Sequence, residues 1–172
     1  MEEEPGEISS IATFCAGSFW DIESAFRHVS GVIATSVGFM GGTVIAPTYE
    51  EVSAGTTGHS EVVMVTYNPG MISYREILGI FFSSHEPCER QQGEYTGVQY
   101  EPVIYCHSDQ DRQQAREYIS ELQHKGLCPA EIITRTAPAS TFYRAEECHQ
   151  QFYEKMANCY PALHRCDPGS DE

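Results

Sequence analysis

The pattern of hydrophobic and polar positions changes period along the chain and predicts strands interleaved with helices. Apolar or β-branched runs of strand length occur at 11–16, 32–39, 61–67, 98–106 and 130–136. Helical spacing or a capping serine predicts helices over 18–30, 73–84, 108–125 and 145–157. Strands and helices in this mixed order are typical of an α/β or α+β two-layer domain.

Two polar stretches interrupt this pattern. Residues 40–60 are rich in Gly, Thr and Ser, and residues 85–97 form a second polar loop. Connections in compact domains are usually much shorter, and long ones often carry function. We therefore expect the first of these loops to be functional.

The 172 residues fit one domain with a distinct segment at each end. We predict a flexible acidic leader over 1–10, a folded domain over 11–157, and a tail over 158–172 that holds Cys159 and Cys166. No run approaches the ~20 apolar residues that a membrane helix needs. The acidic first residues are the opposite of a secretory signal. We interpret the protein as soluble and cytoplasmic.

Charge and cysteine content narrow the function classes. The chain carries 25 acidic residues against 10 Lys and Arg, a formal net charge of -15, which argues against nucleic acids and anionic membranes as partners. Its seven cysteines are odd in number and lack framework spacing, which favours free, redox-active or metal-binding thiols over structural disulfides. Cys159, His164 and Cys166 offer three zinc ligands, but they lack a C-x-x-C pair and a fourth partner. We expect no metal site and no cofactor.

Ser18 stands where an apolar strand ends and a helix begins. It can act there as a helix N-cap, or as a nucleophile beside the free amides of the helix N-terminus. Such amides lower the pKa of a cysteine usefully, but they leave a serine hydroxyl far from ionisation at neutral pH. The flanking residues also differ from the G-x-S-x-G turn of the α/β hydrolases.

Glu61 opens an apolar strand directly after the glycine-rich loop. Its side chain can face water, or it can lie in a site beside Phe19 and Trp20, where desolvation would raise its pKa and let it donate a proton at pH 7. His59, two residues earlier, can share a face with Glu61 on an extended chain. A Ser18–His59–Glu61 hydrolase is therefore one alternative.

The aromatic residues near these positions allow two interpretations each. Phe19 and Trp20 are adjacent, so a helix can bury one in the core while the other lines a cavity. Tyr95, in the second polar loop, and Tyr100, just after it, are either packing residues or hydroxyl donors.

Several segments together resemble the peptide methionine sulfoxide reductases of the A type. The nucleophile motif of that family, G-C-F-W, is matched by ATFCAGSFWDIESAF, and its long glycine loop and acidic strand by GFMGG followed by PTYEEVSAGTTGHSEVVMVTY. Its second active-site loop is matched by QGEYTGVQY, and its late helix by FYRAEECHQQFYEK. The matches follow the family's order from Ile11 to Lys155, which is far more specific than any single motif.

The resemblance implies an α+β fold, a single two-layer αβ sandwich domain with a mixed sheet, long active-site loops and an irregular C-terminal tail. It also implies reduction of methionine S-sulfoxide, free or in proteins, to methionine. In that family a cysteine thiolate attacks the sulfoxide sulfur while a glutamic acid, assisted by tyrosine hydroxyls, protonates the oxygen. The resulting sulfenic acid becomes a disulfide, which thioredoxin reduces. The implied partners are thioredoxin or a similar dithiol and oxidised methionine, and we expect a monomer.

Three residues carry the implied chemistry when the motifs are matched position by position. Ser18 stands at the catalytic cysteine, Glu61 at the proton donor, and Tyr100 at a hydroxyl that binds the sulfoxide oxygen. Phe19 and Trp20 match the pocket for the sulfoxide methyl group.

Two further positions depart from the family, besides Ser18. Phe39, in the substrate-binding set, stands where the G-Y-x-G-G loop has a tyrosine. Tyr95 stands where the second loop has an aspartate. We hypothesise that Tyr95 supplies the hydroxyl lost at Phe39 and so belongs to the catalytic set.

The serine predicts a chain that binds sulfoxide without turning it over. We interpret Ser18 as an engineered replacement of the catalytic cysteine, and the alternative is a natural, catalytically silent module that binds oxidised methionine. The candidates for a resolving cysteine, which would attack a sulfenic acid at position 18, are Cys159, Cys166 and Cys88. The cysteines expected to be structural are Cys15, Cys106 and Cys128.

Overall fold

The structure, a computed structural model, describes residues 8–163. Its strands are β1 (Ser10–Cys15), β2 (Val32–Met40), β3 (Ser60–Tyr67), β4 (Val103–Cys106), β5 (Arg135–Pro138) and β6 (Tyr143–Arg144). They form one sheet in the order β5-β4-β1-β3-β2-β6. Neighbouring strands are antiparallel except for β4 and β5, so the sheet is mixed, as expected.

The α-helices in this part of the chain are α1 (Phe19–Phe26), α2 (Tyr49–Ser53), α3 (Tyr74–Ser83), α4 (Asp109–His124) and α5 (Phe152–Leu163). Local signals start three of them, because Ser18, Ser73 and Ser108 each accept a hydrogen bond from a backbone N–H of the first turn. Glu76 also accepts from the Ser73 amide at 2.8 Å, which completes the predicted capping box.

The main core lies between one face of the sheet and helices α1 and α3. Phe14 of β1 stacks on Phe26 of α1 with ring centroids 5.6 Å apart, and on Phe81 of α3 at 4.5 Å. On the other face, a smaller apolar cluster around Cys15 packs against side chains of 137–142. This arrangement confirms the predicted α+β class.

The strand predicted over 98–106 begins only at Val103. Residues Val98–Tyr100 form a 3-10 turn instead. The Tyr100 carbonyl accepts from the Gly17 amide at 2.8 Å, and Pro102 has no amide hydrogen for a ladder. The strand is therefore shorter than predicted, because one backbone carbonyl is bonded outside the sheet and one backbone amide hydrogen is absent.

The strand predicted over 130–136 begins only at Arg135, for a similar reason. The Ile132 amide donates to the Gln123 side chain at 2.7 Å, and the Ile133 amide donates to the Pro87 carbonyl at 3.1 Å. These bonds hold the segment against α4 and the second loop rather than in the sheet.

The predicted helix near the C-terminus is displaced toward the tail. A 3-10 turn at Glu147–His149 precedes α5, which starts at Phe152 and reaches Leu163. Residues 158–163 are therefore helical where an irregular tail was expected, whereas 164–172 lie outside the described residues. At the other end, β1 already begins at the last residue of the predicted leader.

None of the helices in residues 8–163 combines the length and apolar character that crossing a membrane requires.

Candidate active site

Ser18 occupies the N-terminus of α1, directly after β1. Its Oγ accepts a hydrogen bond from the Trp20 amide at 3.2 Å, so the N-cap interpretation is confirmed. Gly17 before it has φ of 65°, which side-chain-bearing residues rarely adopt. Because the Gly17 amide donates to the Tyr100 carbonyl, the end of the second loop is tied to this helix start.

Glu61 brings a buried carboxyl to the same helix start. It is the second residue of β3 and 1% exposed. Its Oε1 accepts from the Phe19 amide at 3.3 Å, and its Oε2 has no hydrogen-bond partner among the described residues. Burial raises the pKa of Glu61 to about 7, an effect that the Phe19 amide and the nearby Tyr100 hydroxyl partly offset. Near neutral pH this carboxyl is therefore partly protonated and can donate a proton.

Tyr100 and Tyr95 lie together at the end of the second loop. Their ring centroids are 5.2 Å apart, and both side chains are half-buried. Burial, and then the charge of Glu61, raises the pKa of Tyr100 to about 12. The Tyr100 hydroxyl thus stays protonated at neutral pH and is a hydrogen-bond donor beside the carboxyl.

Trp20 lies in a group of stacked aromatic rings. Phe152, at the start of α5, covers one of its faces at a centroid distance of 3.9 Å, and His149 lies at 5.7 Å. Trp20 is half-buried, whereas its neighbour Phe19 is only 1% exposed and belongs to the core. Of the two residues expected to contact the sulfoxide methyl group, Trp20 is the one with accessible surface.

Tyr49 is a candidate site residue that the sequence reasoning missed. It is the first residue of α2, a short helix inside the first long loop, and its ring lies 6.0 Å from those of both Phe19 and Trp20. Burial, and then the charge of Glu61, raises its pKa. The available signal was the T-x-x-E capping box starting at Thr48, which predicts a helix in this loop.

Phe39 packs inside the core, which argues against its expected role in contacting the substrate. It pairs with Glu61 in the β2–β3 register and is 0% exposed. Its ring packs 5.9 Å from that of Phe19. Phe39 therefore supports the site from the core rather than lining it.

His59 is occupied by the glycine-rich loop, which removes the proposed hydrolase triad. Its Nε2 donates to the Val44 carbonyl at 2.7 Å, and its Nδ1 accepts from the Gly42 amide at 3.0 Å. Both ring nitrogens are engaged, so His59 cannot take a proton from Ser18. It holds the loop in place instead.

Within residues 8–163 the cysteines are buried and free, joined in a disulfide, or exposed and free. Cys15 is fully buried on the sheet face opposite Glu61, its thiol donates to the Gln99 carbonyl at 3.2 Å, and burial raises its pKa. It cannot stand in for a nucleophile at position 18. Cys88 and Cys128 form a disulfide, so Cys88 is not a free resolving thiol in this state.

The remaining candidates lie near or beyond the end of the described chain. Cys159 is a free, exposed cysteine on α5, and Cys148 is also free and exposed. Cys166 and His164 lie outside the described residues. Within residues 8–163 no three His, Cys, Asp or Glu side chains cluster as metal ligands.

Comparison with known proteins agrees with this geometry. A family model described as peptide methionine sulfoxide reductase matches residues 10–169. The chain belongs to the peptide methionine sulfoxide reductase family. The reductase MsrA of Methanoculleus marisnigri is 50% identical over 145 residues, which cover 84% of this chain and 88% of that protein. MsrA of Methanothermobacter thermautotrophicus is 48% identical over 152 residues, 87% of this chain and 90% of that protein.

Solved structures of the family share the fold. Mxr1 from Saccharomyces cerevisiae in reduced form is 31% identical, with a TM-score of 0.80 over 90% of this chain and 88% of its own. Mxr1 in complex with Trx2 is 27% identical, with a TM-score of 0.60 over 88% of this chain and 89% of its own.

Proposed function

We propose that this chain binds methionine S-sulfoxide, free or within oxidised proteins, and that Ser18 prevents it from reducing the ligand. The observation that carries the proposal is Glu61, a buried carboxyl with one unpaired oxygen and a pKa raised to about 7. A polar ligand suits such a group, because an unsatisfied buried oxygen costs free energy.

The sulfoxide oxygen is the ligand atom that this carboxyl suits. A sulfoxide oxygen is a strong hydrogen-bond acceptor and has no proton of its own to donate. Protonated Glu61 donates one hydrogen bond to it, and the Tyr100 hydroxyl a second. The Tyr49 and Tyr95 hydroxyls complete a set of donors around the oxygen.

Trp20 provides the apolar contact for the methyl group on the sulfur. Its indole is half-buried and lies next to the helix start that carries Ser18. A methyl group on an aromatic face loses contact with water at little cost in hydrogen bonding. With the methyl on Trp20, the oxygen toward Glu61 and the rest of the methionine directed toward solvent, three substituents of the sulfur have fixed positions, and this selects one epimer.

The absence of turnover follows from electron counting. Reducing a sulfoxide to a thioether takes two electrons, which a cysteine thiolate supplies when its sulfur becomes a sulfenic acid. A serine oxygen has no comparable two-electron oxidation, and its hydroxyl is scarcely ionised at neutral pH. Ser18 keeps the size of the nucleophile and the hydrogen bond to Trp20 without the reducing power.

The cysteine form would complete the cycle of the family. Its thiolate would attack the sulfoxide sulfur, Glu61 would protonate the oxygen, and methionine would leave after the sulfenic acid forms. Cys159 or Cys166 would then displace water to give a disulfide, and a dithiol such as thioredoxin would reduce it. The related Mxr1 has been solved in complex with Trx2, which supports this class of reductant.

A titration tests the binding proposal. Peptides containing S- or R-methionine sulfoxide are added while Trp20 fluorescence or heat is recorded; Trp20 is the single tryptophan of the chain. We expect saturable binding of the S epimer, weaker binding of the R epimer, and loss of binding in Glu61→Ala. Glu131→Gln, which alters an exposed acid elsewhere, serves as the matched control. Equal affinity of Glu61→Ala and the parent chain would contradict the proposal.

An engineered chain and a natural silent module make the same binding prediction. The two differ in the gene, because a cysteine codon at position 18 in the native genome indicates an engineered change and a serine codon indicates the natural module. The hydrolase alternative predicts labelling of Ser18 by a fluorophosphonate, which the engaged nitrogens of His59 disfavour.

A further inference from the structure

A disulfide joins the second long loop to the segment that follows α4. Cys88 and Cys128 are 40 positions apart in sequence, with Cα atoms 6.2 Å apart. The sequence predicted neither residue as the other's partner, and while the bond is closed Cys88 cannot resolve a sulfenic acid at position 18. The bond therefore calls for a role of its own.

The two cysteines differ in exposure. Cys128 is 8% exposed, whereas Cys88 is half-buried in a polar loop and is followed by the exposed residues Glu89 and Arg90. Thiol–disulfide exchange needs an incoming thiolate to reach one sulfur while the other leaves. The more exposed Cys88 is therefore the better candidate for attack, with Cys128 as the leaving group.

Gln92 connects the turn around Cys88 to the site. Its side chain accepts from the Glu86 amide at 2.9 Å and donates to the carbonyls of Glu86 and Glu89 at 2.8 and 2.7 Å. These bonds close a turn that encloses Cys88. The Gln92 side chain also packs on Gly17, where an added Cβ would lie 2.8 Å from the Cβ of Gln92.

The loop that this turn begins also carries Tyr95. The Tyr95 amide donates to the Gln92 carbonyl at 3.1 Å, so the position of Tyr95 depends on the same turn. Next to the disulfide, the Ile133 amide donates to the Pro87 carbonyl at 3.1 Å. That single hydrogen bond is a far weaker link between the loop and 126–133 than the covalent bond beside it.

We propose that Cys88–Cys128 is a thiol–disulfide exchange site for a protein dithiol, and that its oxidation state sets the order of loop 85–97 and of Tyr95. A thiolate of the dithiol attacks Cys88 Sγ, and the Cys88–Cys128 bond breaks as Cys128 leaves as a thiolate and takes a proton. The second thiol of the reductant then displaces Cys88 from the mixed disulfide. Two electrons and two protons pass to the pair, and the reductant ends as a disulfide.

Reduction removes the covalent link between the loop and 126–133 and leaves only non-covalent contacts between them. The Gln92 turn and Tyr95 then sample open positions away from Gly17, because a locally untethered segment opens at lower free energy than the core. The oxidised state holds the donor set together, and the reduced state loosens it. This coupling to ligand binding rests on the proposed function, whereas the exchange and the loop order do not.

Trypsin cleavage after Arg90 reports the order of the loop, because Arg90 is exposed within it. The full chain is digested briefly in the oxidised state, after dithiothreitol, and after excess reduced thioredoxin. Mass mapping of the oxidised sample should show the peptides of Cys88 and Cys128 linked. Cleavage at Arg90 should be about tenfold faster after either reductant, since loss of a tether raises the population of the open loop.

Two variants separate this pair from the exposed free thiols of residues 8–163. Cys88→Ser/Cys128→Ser should be cleaved at the reduced rate whether or not reductant is present. Cys148→Ser/Cys159→Ser removes two exposed free thiols and should keep the full response. The comparison of the unaltered chain with and without reductant needs no variant, so a folding defect in either variant leaves the test intact.

The outcomes divide the proposal into its parts. Absence of the linked peptides, or equal cleavage of oxidised and reduced protein, would overturn it. Reduction by dithiothreitol but not by thioredoxin would exclude a protein dithiol as the partner. Sulfoxide binding that is equal in both states would break the coupling to Tyr95, whereas no binding in either state would count against the proposed function alone.

Discussion

Positions 18 and 61 face the first turn of α1 from different elements, and each makes a hydrogen bond with it. Ser18 Oγ accepts from the Trp20 amide at 3.2 Å, and Glu61 Oε1 accepts from the Phe19 amide at 3.3 Å. The hydrogen bond at Ser18 is that of an ordinary helix N-cap. The carboxyl at position 61 keeps a second oxygen unpaired and has a raised pKa.

In the proposed function, this difference separates the proton-donating half of the chemistry from the electron-donating half. The proton-donating half has kept a buried acid and neighbouring tyrosine hydroxyls. At the electron-donating position, Ser18 acts as the N-cap of α1. In this proposal the serine thus removes the reductant and keeps the shape of the site, because serine and cysteine are similar in size and both can cap a helix.

Restoring the thiol is the strongest way to break this comparison. Ser18→Cys should reduce methionine S-sulfoxide with dithiothreitol, at roughly 10⁶-fold or more above the uncatalysed rate, because the helix N-terminus favours a thiolate. Chromatography of free methionine and its sulfoxide measures the conversion. Ser18→Ala is the control and should stay inactive. An inactive Ser18→Cys that folds and still binds ligand would contradict the family's chemistry at this position.

Removing the acid from the restored enzyme tests the other half. In the Ser18→Cys background, Glu61→Gln should lower kcat by about 10²–10⁴-fold, the range that a positioned general acid supplies. Glu131→Gln in the same background should leave kcat unchanged. If Glu61→Gln retained full kcat, the proton would have to come from another group, and the two halves would not be separable as described.

The pH dependence of stability sharpens the electrostatic side of the comparison. Because burial raises the pKa of Glu61 to about 7, the folded state favours its neutral form. The contribution of the neutral carboxyl to the free energy of unfolding is complete below the pKa of the unfolded state, near 4.5. It is lost as pH rises through the folded-state pKa of about 7. Glu61→Gln, which carries no charge, should therefore gain stability relative to the parent chain by about 3 kcal/mol at pH 8 and little at pH 4.

Urea unfolding of both proteins at the two pH values measures this difference, and the other titrating groups cancel in the comparison. A stability difference that is the same at pH 4 and pH 8 would show that the Glu61 carboxyl titrates normally.

The tyrosine hydroxyls are expected to have the smallest effects. Tyr95→Phe in the Ser18→Cys background should lower kcat/KM by about fivefold to tenfold, the value of one hydrogen bond. Tyr49→Phe in the same background is the matched comparison, because it removes a different hydroxyl near Glu61. Unchanged kcat/KM in Tyr95→Phe with a loss in Tyr49→Phe would assign the assisting donor to Tyr49 and reject the hypothesis of a relocated hydroxyl at Tyr95.

Local signals in the sequence predicted the elements that depend on local interactions. Strands β1, β2 and β3 and the capped starts of α1, α3 and α4 lie where period and capping serines indicated. The stretches 98–102 and 130–134 differed, because their backbone groups bond to Gly17, Gln123 and Pro87 rather than to a neighbouring strand. Such bonds join residues far apart in sequence, and no local pattern records them.

The site residues also divide into those that the sequence predicted and those that only the structure places. Motif matching named Ser18, Glu61 and Tyr100, and the structure brings them to one helix start. It missed Tyr49, whose place beside Phe19 and Trp20 depends on how the first loop folds back. It also assigned a binding role to Phe39, which the core buries.

The sequence by itself determined the residue types at the site, above all a serine where the family has a cysteine. Only the tertiary structure decided what those residues can do. Burial in a folded core raises the pKa of Glu61, engagement of both ring nitrogens removes His59 as a base, and packing of two distant segments joins Cys88 to Cys128. Desolvation and long-range pairing are properties of the packed chain, so a linear pattern of residues does not contain them.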